Sequence, residues 1–305
     1  KKGLPLLQVQ HHWAHMASCM ADNRLDGPVF GIVWDGAGLG EDGTVWGAEF
    51  LEGDFHSFRR LGSIRPVRLP GGDRATQEIG RLALSLLWDA GLLVGEEKSV
   101  PLDASRFRAV SSLLDAGLSC PSASSMGRLL DGFCALLLGT GSVSYEGEGP
   151  ARLEAVAVPN RFPGRHAALP PCPWPLSFEQ TDGLRRFDFR PLVQAAVSEL
   201  KEGRDPGEIA GRLLLSLCHM AQNQCIALNP GRLPVVLSGG VFQNRFLLDG
   251  VTALLTDAGF RVFRHRRTAP NDEGICLGQL SIAAANAAAS NEKGCKHVPC
   301  HTDEN

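Results

Sequence analysis

Leu233-Pro234-Val235-Val236-Leu237-Ser238-Gly239-Gly240 is an apolar run that ends at two glycines. The run predicts a buried strand, and residues 242–258 are predicted to form the helix that follows it. A further strand is expected over residues 260–263, and a final alanine-rich helix over about residues 275–289. Strands that alternate with helices in this way predict an α/β fold.

The N-terminal part of the chain contains a second pair of predicted strands. A nearly continuous apolar run over residues 29–34 ends at Asp35-Gly36, and the chain returns as segment 44–51 after the glycine-rich residues 38–43. This pattern predicts a hairpin with a glycine-rich tip. The other predicted elements are helices over about residues 76–90, 103–118, 126–139, 190–202 and 206–228, and a proline-rich connection over 158–176.

The composition is that of an ordinary globular protein. Of 305 residues, 44% are hydrophobic and 21% are charged, and the net charge is −3. The length allows two lobes with separate cores, and the charge gives no basic field that would favour nucleic acid. No apolar run reaches the roughly 18 residues that a membrane span needs. Nine cysteines without a C-x-x-C pair indicate reduced thiols and therefore a cytoplasmic protein.

Three histidines lie within five positions near the start of the chain, in Gln10-His11-His12-Trp13-Ala14-His15. On a helix, His11 and His15 would share one face, with their Cβ atoms about 5–6 Å apart. Neutral imidazole is a common metal ligand, and an i, i+4 pair is the simplest way for a helix to hold a metal. The spacing also arises by chance, so the alternative is a helix with interfacial histidines and no metal.

Two aspartates are candidate partners of this histidine pair. Asp35 and Asp272 each follow a predicted strand, and with His11 and His15 they would give two imidazoles and two carboxylates. That donor set suits Fe(II), Mn(II) or Zn(II) better than Cu(I). The alternative for an aspartate at a turn is a capping or Asx-turn residue.

Two strand ends are rich in glycine: Asp35-Gly36-Ala37-Gly38-Leu39-Gly40 and Ser238-Gly239-Gly240-Val241. Glycine lets a phosphate approach the backbone, and a following helix offers free N–H groups to an anion. Neither segment matches a Walker loop or a dinucleotide fingerprint, so each alone is more simply a structural turn. Together they favour a nucleotide held in a cleft between two lobes.

The end of the chain brings Cys295, His297, Cys300 and His301 close together in sequence. Their spacing fits no standard zinc module and the segment around them is polar, so a frayed terminus is the simpler interpretation. We expect residues 291–305 to form a disordered polar tail.

Seven ordered motifs resemble the C-terminal carbamoyltransferase domain of the HypF hydrogenase-maturation family, a relative of the TsaD-like threonylcarbamoyl transferases and the antibiotic O-carbamoyltransferases. They extend over about residues 8–285. The motifs are Gln10-His11-His12-Trp13-Ala14-His15, Trp34-Asp35-Gly36-Ala37-Gly38, Leu69-Pro70-Gly71-Gly72-Asp73-Arg74-Ala75, Ser125-Met126-Gly127-Arg128-Leu129-Leu130-Asp131, Tyr145-Glu146-Gly147, Leu237-Ser238-Gly239-Gly240-Val241-Phe242-Gln243-Asn244 and Pro270-Asn271-Asp272-Glu273-Gly274.

This resemblance implies a two-lobed α/β fold related to actin and hexokinase (the ASKHA fold), with a ligand cleft between the lobes. The expected N-terminal lobe is residues 1–105, with the histidine helix and the glycine-rich hairpin, and the expected nucleotide-binding lobe is residues 106–290. Because the family domain has a further N-terminal segment, we expect the N-terminal lobe of this chain to be incomplete.

The resemblance also implies roles for individual residues. The expected ligands of a divalent metal (Fe, Zn or Mn) are His11, His15, Asp35 and Asp272. The expected adenine-nucleotide pocket includes Gly36, Gly38, Asp131, Glu146, Gly239, Gly240 and Asn244, with Glu154 as a further candidate. The candidates near the carbamoyl group are His12, Arg74 and Gly72, and the alternative for His12 is that it packs beside Trp13.

The implied reaction starts from carbamoyl-adenylate, which is derived from ATP. The carbamoyl group passes to the C-terminal cysteine thiolate of the partner HypE and gives a thiocarboxamide and AMP, on the route to the cyanide ligands of NiFe-hydrogenase. Since the nucleophile comes from the partner, the chain needs no catalytic triad. The alternatives are threonylcarbamoyl transfer to tRNA and a non-catalytic module that binds nucleotide and metal and docks a partner.

Overall fold

The fold is built on one mixed β-sheet. The structure, a computed structural model, describes residues 6–94, 99–157 and 170–294, with side chains as far as residue 288. Its helices are α1 (His11–Asn23), α2 (Arg74–Gln77), α3 (Gly80–Asp89), α4 (Ala104–Ala116), α5 (Met126–Leu138), α6 (Glu148–Ala157), α7 (Arg190–Lys201), α8 (Pro206–Leu228), α9 (Arg245–Asp257) and α10 (Ile275–Gly294). Its strands are β1 (Val29–Leu39), β2 (Val45–Gly53), β3 (Phe58–Ile64), β4 (Val67–Arg68), β5 (Ser122–Ser125), β6 (Ser177–Thr181), β7 (Leu184–Asp188), β8 (Val235–Ser238) and β9 (Val262–Arg264).

The sheet is centred on β1. The strand order in the described ranges is β6-β7-β3-β2-β1-β8-β9, with β4 and β5 on a branch beside β2. β1 runs antiparallel to β2 and parallel to β8, so the predicted hairpin and the predicted strand–helix alternation meet in one sheet. The first seven residues of β1 are all buried, as expected for a strand covered on both faces. The α/β prediction is confirmed.

The two faces of β1 pack against different helices, with the period of two that a strand imposes. The smaller core lies under α1 and contains Met16, Met20, Val29 and Val33. The larger core lies on the other face, with helices such as α3, α5 and α8, and contains Phe30, Ile32, Trp34 and Phe50. α1 is therefore held between the sheet and α10, and its first turn lies near the carboxyl end of β1.

Strands from both sides of residue 105 share this sheet, because β8 and β9 pair next to β1. The described residues thus contain one sheet, and the division into lobes at residue 105 stays a prediction. Residues 158–169 of the proline-rich connection and the cysteines and histidines of segment 295–305 lie outside the described residues. α10 continues to Gly294 instead of ending near residue 289.

The hairpin formed by β6 and β7 is not among the predicted elements. Its strands are rich in polar residues, so the apolar pattern that reveals β1 and β8 is absent. The turn is Asp182-Gly183, and both residues have positive φ angles, of 53° and 77°. An Asp-Gly pair is a strong hairpin signal and could have located the turn.

Other boundaries differ less. The helix predicted over residues 76–90 is two helices, α2 and α3, with a break at residues 78–79. In the described ranges no helix is both long and apolar enough to cross a membrane.

Candidate metal and nucleotide site

The start of α1 positions the two candidate histidine ligands. Gln10 is the N-cap, and its side-chain oxygen accepts a hydrogen bond from Trp13 N at 2.8 Å. The same side chain donates from Nε2 to the Leu39 carbonyl at 3.2 Å, which ties the helix to the end of β1. His11 and His15 then lie on one face of α1, with ring centroids 4.8 Å apart.

A bulge in β1 places Asp35. After Trp34, residues 35–37 together lie opposite Gly47 of β2, so β1 has two extra residues at this point. Bulges re-aim side chains and often lie next to active sites. Asp35 is buried, and its Oδ1 accepts a hydrogen bond from Gly240 N at 3.0 Å. We call the glycine-rich segment at residues 35–40 the first glycine junction and the segment at residues 238–241 the second. The Asp35 carboxylate is thus fixed by its own strand and by the second glycine junction.

Asp272 reaches the pair of His11 and His15 from the C-terminal part of the chain. It begins a 3-10 turn, Asp272–Gly274, that leads into α10. Ser18 Oγ of α1 donates to the Gly274 carbonyl at 2.7 Å and anchors this turn to the histidine helix. In contrast to Asp35, the Asp272 side chain is 72% exposed. The site is therefore open to solvent on the Asp272 side.

Four ligand atoms converge in what we call the four-ligand cluster: His11, His15, Asp35 and Asp272. His11 Nε2 lies 3.0 Å from Asp35 Oδ2 and 3.6 Å from Asp272 Oδ1, and His15 Nε2 lies 3.3 Å from each of these oxygens. Ligands about 2.0–2.2 Å from a metal are roughly 3.0 Å apart in octahedral and 3.4 Å apart in tetrahedral geometry. The nitrogen–oxygen distances agree with one shared ion.

His15 supplies a second indication. Its Nε2 is buried, yet it makes no hydrogen bond of normal geometry although two carboxylate oxygens lie 3.3 Å away. Buried polar atoms are nearly always satisfied. An ion between the four side chains would satisfy this nitrogen, so the residues fit a divalent metal of the predicted class.

The opposite charges of the four-ligand cluster shift the pKa values of its members. Burial disfavours the imidazolium of His15, but the carboxylates of Asp272 and Asp35 outweigh it and raise the pKa of His15 to about 9. Burial also opposes ionisation of Asp35, and the contacts with His11 and His15 reverse this and lower the pKa of Asp35. Contact with His15 lowers the pKa of Asp272. A metal therefore has to displace a proton from this cluster.

His12 is buried next to the four-ligand cluster without belonging to it. Gln10 Nε2 lies 3.2 Å from His12 Nδ1, and since that amide is a donor, the proton of the neutral ring is assigned to Nε2. His12 Nε2 is buried and has no partner among the described residues. Burial lowers the pKa of His12 to about 3, so the ring is a neutral N–H donor. A Cβ on Gly38 would come within 2.7 Å of this ring.

The second glycine junction lies directly beside Asp35, because β8 and β1 are parallel neighbours. Gly239 has a φ of +100°, and a Cβ there would be 2.2 Å from the Trp34 carbonyl oxygen. This position therefore requires glycine. Gly240 follows, and its N–H donates the hydrogen bond that Asp35 Oδ1 accepts.

Asn244 and Glu154 meet at the start of α9. Asn244 is the N-cap, and its Oδ1 accepts from Leu247 N at 3.0 Å, while its buried Nδ2 has no partner among the described residues. Glu154 Oε1 accepts from Arg245 N at 2.7 Å and from Phe246 N at 3.2 Å. The Glu154 carboxylate thus caps the N-terminus of α9, and the Nδ2 of Asn244 stays available as a donor to a ligand.

Asp131 and Glu146 lie on the other side of Gly36, together with Arg128, which sequence reasoning did not assign. Arg128 Nη2 is 3.2 Å from Asp131 Oδ2 and 3.7 Å from Glu146 Oε1. Burial raises the pKa of Asp131 to about 6. Arg128 lies in the motif at residues 125–131, and its burial beside Gly36 marks it as part of a site.

No contact among the described residues brings Arg74 or Gly72 to the four-ligand cluster or to the glycine junctions. Arg74 is exposed at the first position of α2, and its guanidinium makes no hydrogen bond or ion pair within the described ranges. Gly72 has a φ of +61° in the turn before that helix. Their expected place near the carbamoyl group stays a prediction.

Comparison with known proteins defines the class of this domain. A family model described as "Carbamoyltransferase, Kae1-like Domain, second subdomain" matches residues 31–279, and one described as "HypF Kae1-like domain" matches residues 1–22. The structure of full-length HypF in its phosphate- and nucleotide-bound form aligns with a TM-score of 0.82 and 31% identity, over 93% of this chain and 36% of that chain. The fold is therefore Kae1-like, within the ASKHA group.

Sequence relatives give the family. Carbamoyltransferase HypF of Rhizobium leguminosarum bv. viciae is 34% identical over 92% of this chain and 35% of its own length. Carbamoyltransferase HypF of Rhodobacter capsulatus is 37% identical over 93% of this chain and 36% of its own length. The chain belongs to the HypF carbamoyltransferase family, and it spans 35% to 36% of the length of these relatives.

Proposed function

We propose that this chain transfers a carbamoyl group from carbamoyl-adenylate to the C-terminal cysteine of HypE, towards the cyanide ligands of NiFe-hydrogenase. The observation that carries the proposal is the four-ligand cluster, which three distant chain segments build beside two glycine junctions. Membership of the HypF carbamoyltransferase family supports the reaction class.

A divalent ion held by His11, His15, Asp35 and Asp272 would polarise a carbamoyl or phosphate oxygen as a Lewis acid. The imidazole and carboxylate donors favour Fe(II), Zn(II) or Mn(II). His15 and Asp35 form the buried side of the cluster, and Asp272 forms its exposed side. The substrate oxygen would approach from the exposed side.

The transfer exchanges one bond for another. The thiolate sulfur of HypE bonds to the carbamoyl carbon, the bond from that carbon to the phosphate oxygen breaks, and AMP leaves with the electron pair. Because the nucleophile arrives as a thiolate, this chain removes no proton. We propose that the free Nε2–H of His12 donates to the carbamoyl oxygen as negative charge develops there.

The adenine nucleotide is proposed to lie along the second junction. Gly239 and Gly240 would border it, and the unpaired Nδ2 of Asn244 is a donor for the base. Asp131 is an acceptor for the ribose hydroxyls, with Glu146 beside it. Gly36 and Gly38 would border the phosphate end.

Incubation of the chain with carbamoyl-adenylate and HypE, followed by intact-mass measurement of HypE, tests this proposal. One carbamoyl group on the C-terminal cysteine is expected, and none on HypE that lacks this cysteine. The variant His15→Ala should lose the product, whereas His56→Ala, at an exposed histidine outside the cluster, should keep it.

Two other results would replace the proposal. Nucleotide binding without modification of HypE would identify a non-catalytic module that docks a partner. Modification of tRNA instead of HypE would indicate the threonylcarbamoyl transfer reaction.

A further inference from the structure

Arg128 is a buried cation that the proposed transfer step does not use. The residue is only 3% exposed, and its Nε is buried with no partner among the described residues. Its Nη2 contacts Asp131 Oδ2 at 3.2 Å, so the guanidinium is paired on one side only. A buried charged donor without an acceptor is costly, and its presence calls for a function.

Two glycines let the start of α5 pack closely against the bulge of β1 beside Arg128. A Cβ on Gly36 would be 3.7 Å from Arg128 Nη2, and a Cβ on Gly127 would be 2.9 Å from Gly36 Cα. Ser125 Oγ donates to the Gly36 carbonyl and accepts from Arg128 N at 3.1 Å. The first turn of α5 is therefore fixed against the bulge that carries Asp35.

Glu146 reaches Gly36 and Arg128 from outside. Its side chain is 74% exposed, yet its Oε1 lies 3.7 Å from Arg128 Nη2. The same oxygen would be 2.4 Å from a Cβ on Gly36, so it sits directly over that glycine. A carboxylate oxygen thus occupies the place where an anionic ligand would meet both Gly36 and Arg128.

We propose that Arg128 and Gly36 form an anion site for the phosphate of an adenylate, and that Glu146 occupies this site when no ligand is bound. The inference rests on the proposed function, which supplies a phosphate close to Asp35. The planar fork of arginine matches two phosphate oxygens. Asp131, one helical turn after Arg128, would accept the neighbouring ribose hydroxyl. Glu146 is exposed and can move aside.

Calorimetric binding of AMP and of adenosine separates the phosphate contact from the rest of the nucleotide. Arg128→Gln should weaken AMP binding by about tenfold or more and adenosine binding much less, because only AMP carries the phosphate. Arg128→Lys, which keeps a positive charge beside Asp131, should lose less. The control Arg152→Gln removes a half-exposed arginine on α6 and should change neither ligand. Glu146→Gln should strengthen AMP binding, since a competing carboxylate is removed.

Equal AMP binding by the unchanged chain and by Arg128→Gln would overturn the anion site, as would an equal loss of AMP and adenosine. Weaker AMP binding by Glu146→Gln would show that Glu146 is a ligand of the nucleotide instead of its substitute.

If the unchanged chain bound neither AMP nor adenosine, the nucleotide part of the proposed function would fail separately. Inorganic phosphate then tests the site alone. It should raise the melting temperature of Glu146→Gln but not of the double variant Glu146→Gln/Arg128→Gln, and equal effects on both would exclude the site.

Discussion

The two glycine junctions resemble each other in sequence and differ in what they contribute to the site. The first includes the bulge inside β1 and the second directly follows β8, the parallel neighbour of β1. At the first junction a bulge directs the Asp35 side chain into the four-ligand cluster. At the second, the left-handed Gly239 turns the backbone so that Gly240 N–H reaches Asp35. One junction supplies a ligand, and the other holds that ligand in place.

The largest effect is expected from the ligand at the first junction. Asp35→Asn keeps the size of the side chain and its acceptor for Gly240 N–H but removes the charge. We expect Zn²⁺ affinity to fall by more than about a hundredfold, since even residues behind a ligand often contribute tenfold or more. Titration against a competing chelator measures this, with Asp26→Asn at an exposed aspartate as the control. Unchanged affinity would remove Asp35 from the site.

The next effect is on stability and comes from the second junction. In Gly239→Ala the new Cβ would meet the Trp34 carbonyl at 2.2 Å at a φ of +100°, so we expect a loss of about 3 kcal/mol or more. The matched variant is Gly231→Ala, where nothing lies within 4 Å. Denaturant unfolding compares the two, and equal midpoints would show that the turn is not strained by a side chain.

Proton competition gives a smaller effect that belongs to the first junction. The pKa of His15 is raised to about 9 in the metal-free cluster, so His15 is protonated below that pH and metal binding has to release this proton. Zn²⁺ affinity should therefore rise by about tenfold per pH unit between pH 6 and 8. Affinity that stays constant over this range would mean that His15 is already neutral.

The smallest effect is expected where the second junction touches the histidine helix. Ser238 Oγ donates to the His15 carbonyl at 2.8 Å and lies 2.8 Å from His265 Nε2. Burial lowers the pKa of His265 to about 4, so this ring is neutral and donates to Ser238 Oγ. Ser238→Ala should cost about 1 kcal/mol of stability.

Zn²⁺ affinity of Ser238→Ala should fall only a few-fold, because Ser238 holds the His15 backbone and not its ring. The exposed Ser57→Ala is the control in both measurements. A loss of metal as large as that expected for Asp35→Asn would assign Ser238 a direct role.

The sequence predicts the parts of this molecule that rest on local patterns. The apolar runs of β1 and β8 and the i, i+4 spacing of His11 and His15 are visible in the residues themselves. The polar strands β6 and β7 are not, because they lack an apolar pattern, and the pairing of β7 with β3 joins segments far apart in the chain.

Long-range placement limits the prediction of the site in the same way. The bulge that aims Asp35 depends on the register between β1 and β2, and the burial of Arg128 depends on the packing of α5 on that bulge. Asp272 comes from a segment far along the chain, and long-range contacts of its loop bring it to the histidines: Ser18 Oγ donates to the Gly274 carbonyl, and Gly239 N donates to the Pro270 carbonyl at 2.9 Å.

X-ray absorption of the Zn²⁺-loaded chain tests the four-ligand cluster most directly. We expect a shell of nitrogen and oxygen atoms only, at about 2.0–2.2 Å, with scattering from two imidazoles, and we expect one histidine fewer in His11→Ala. A sulfur atom at about 2.3 Å would place the metal on cysteine instead. An unchanged spectrum in His11→Ala would contradict the cluster of His11, His15, Asp35 and Asp272 as the metal site.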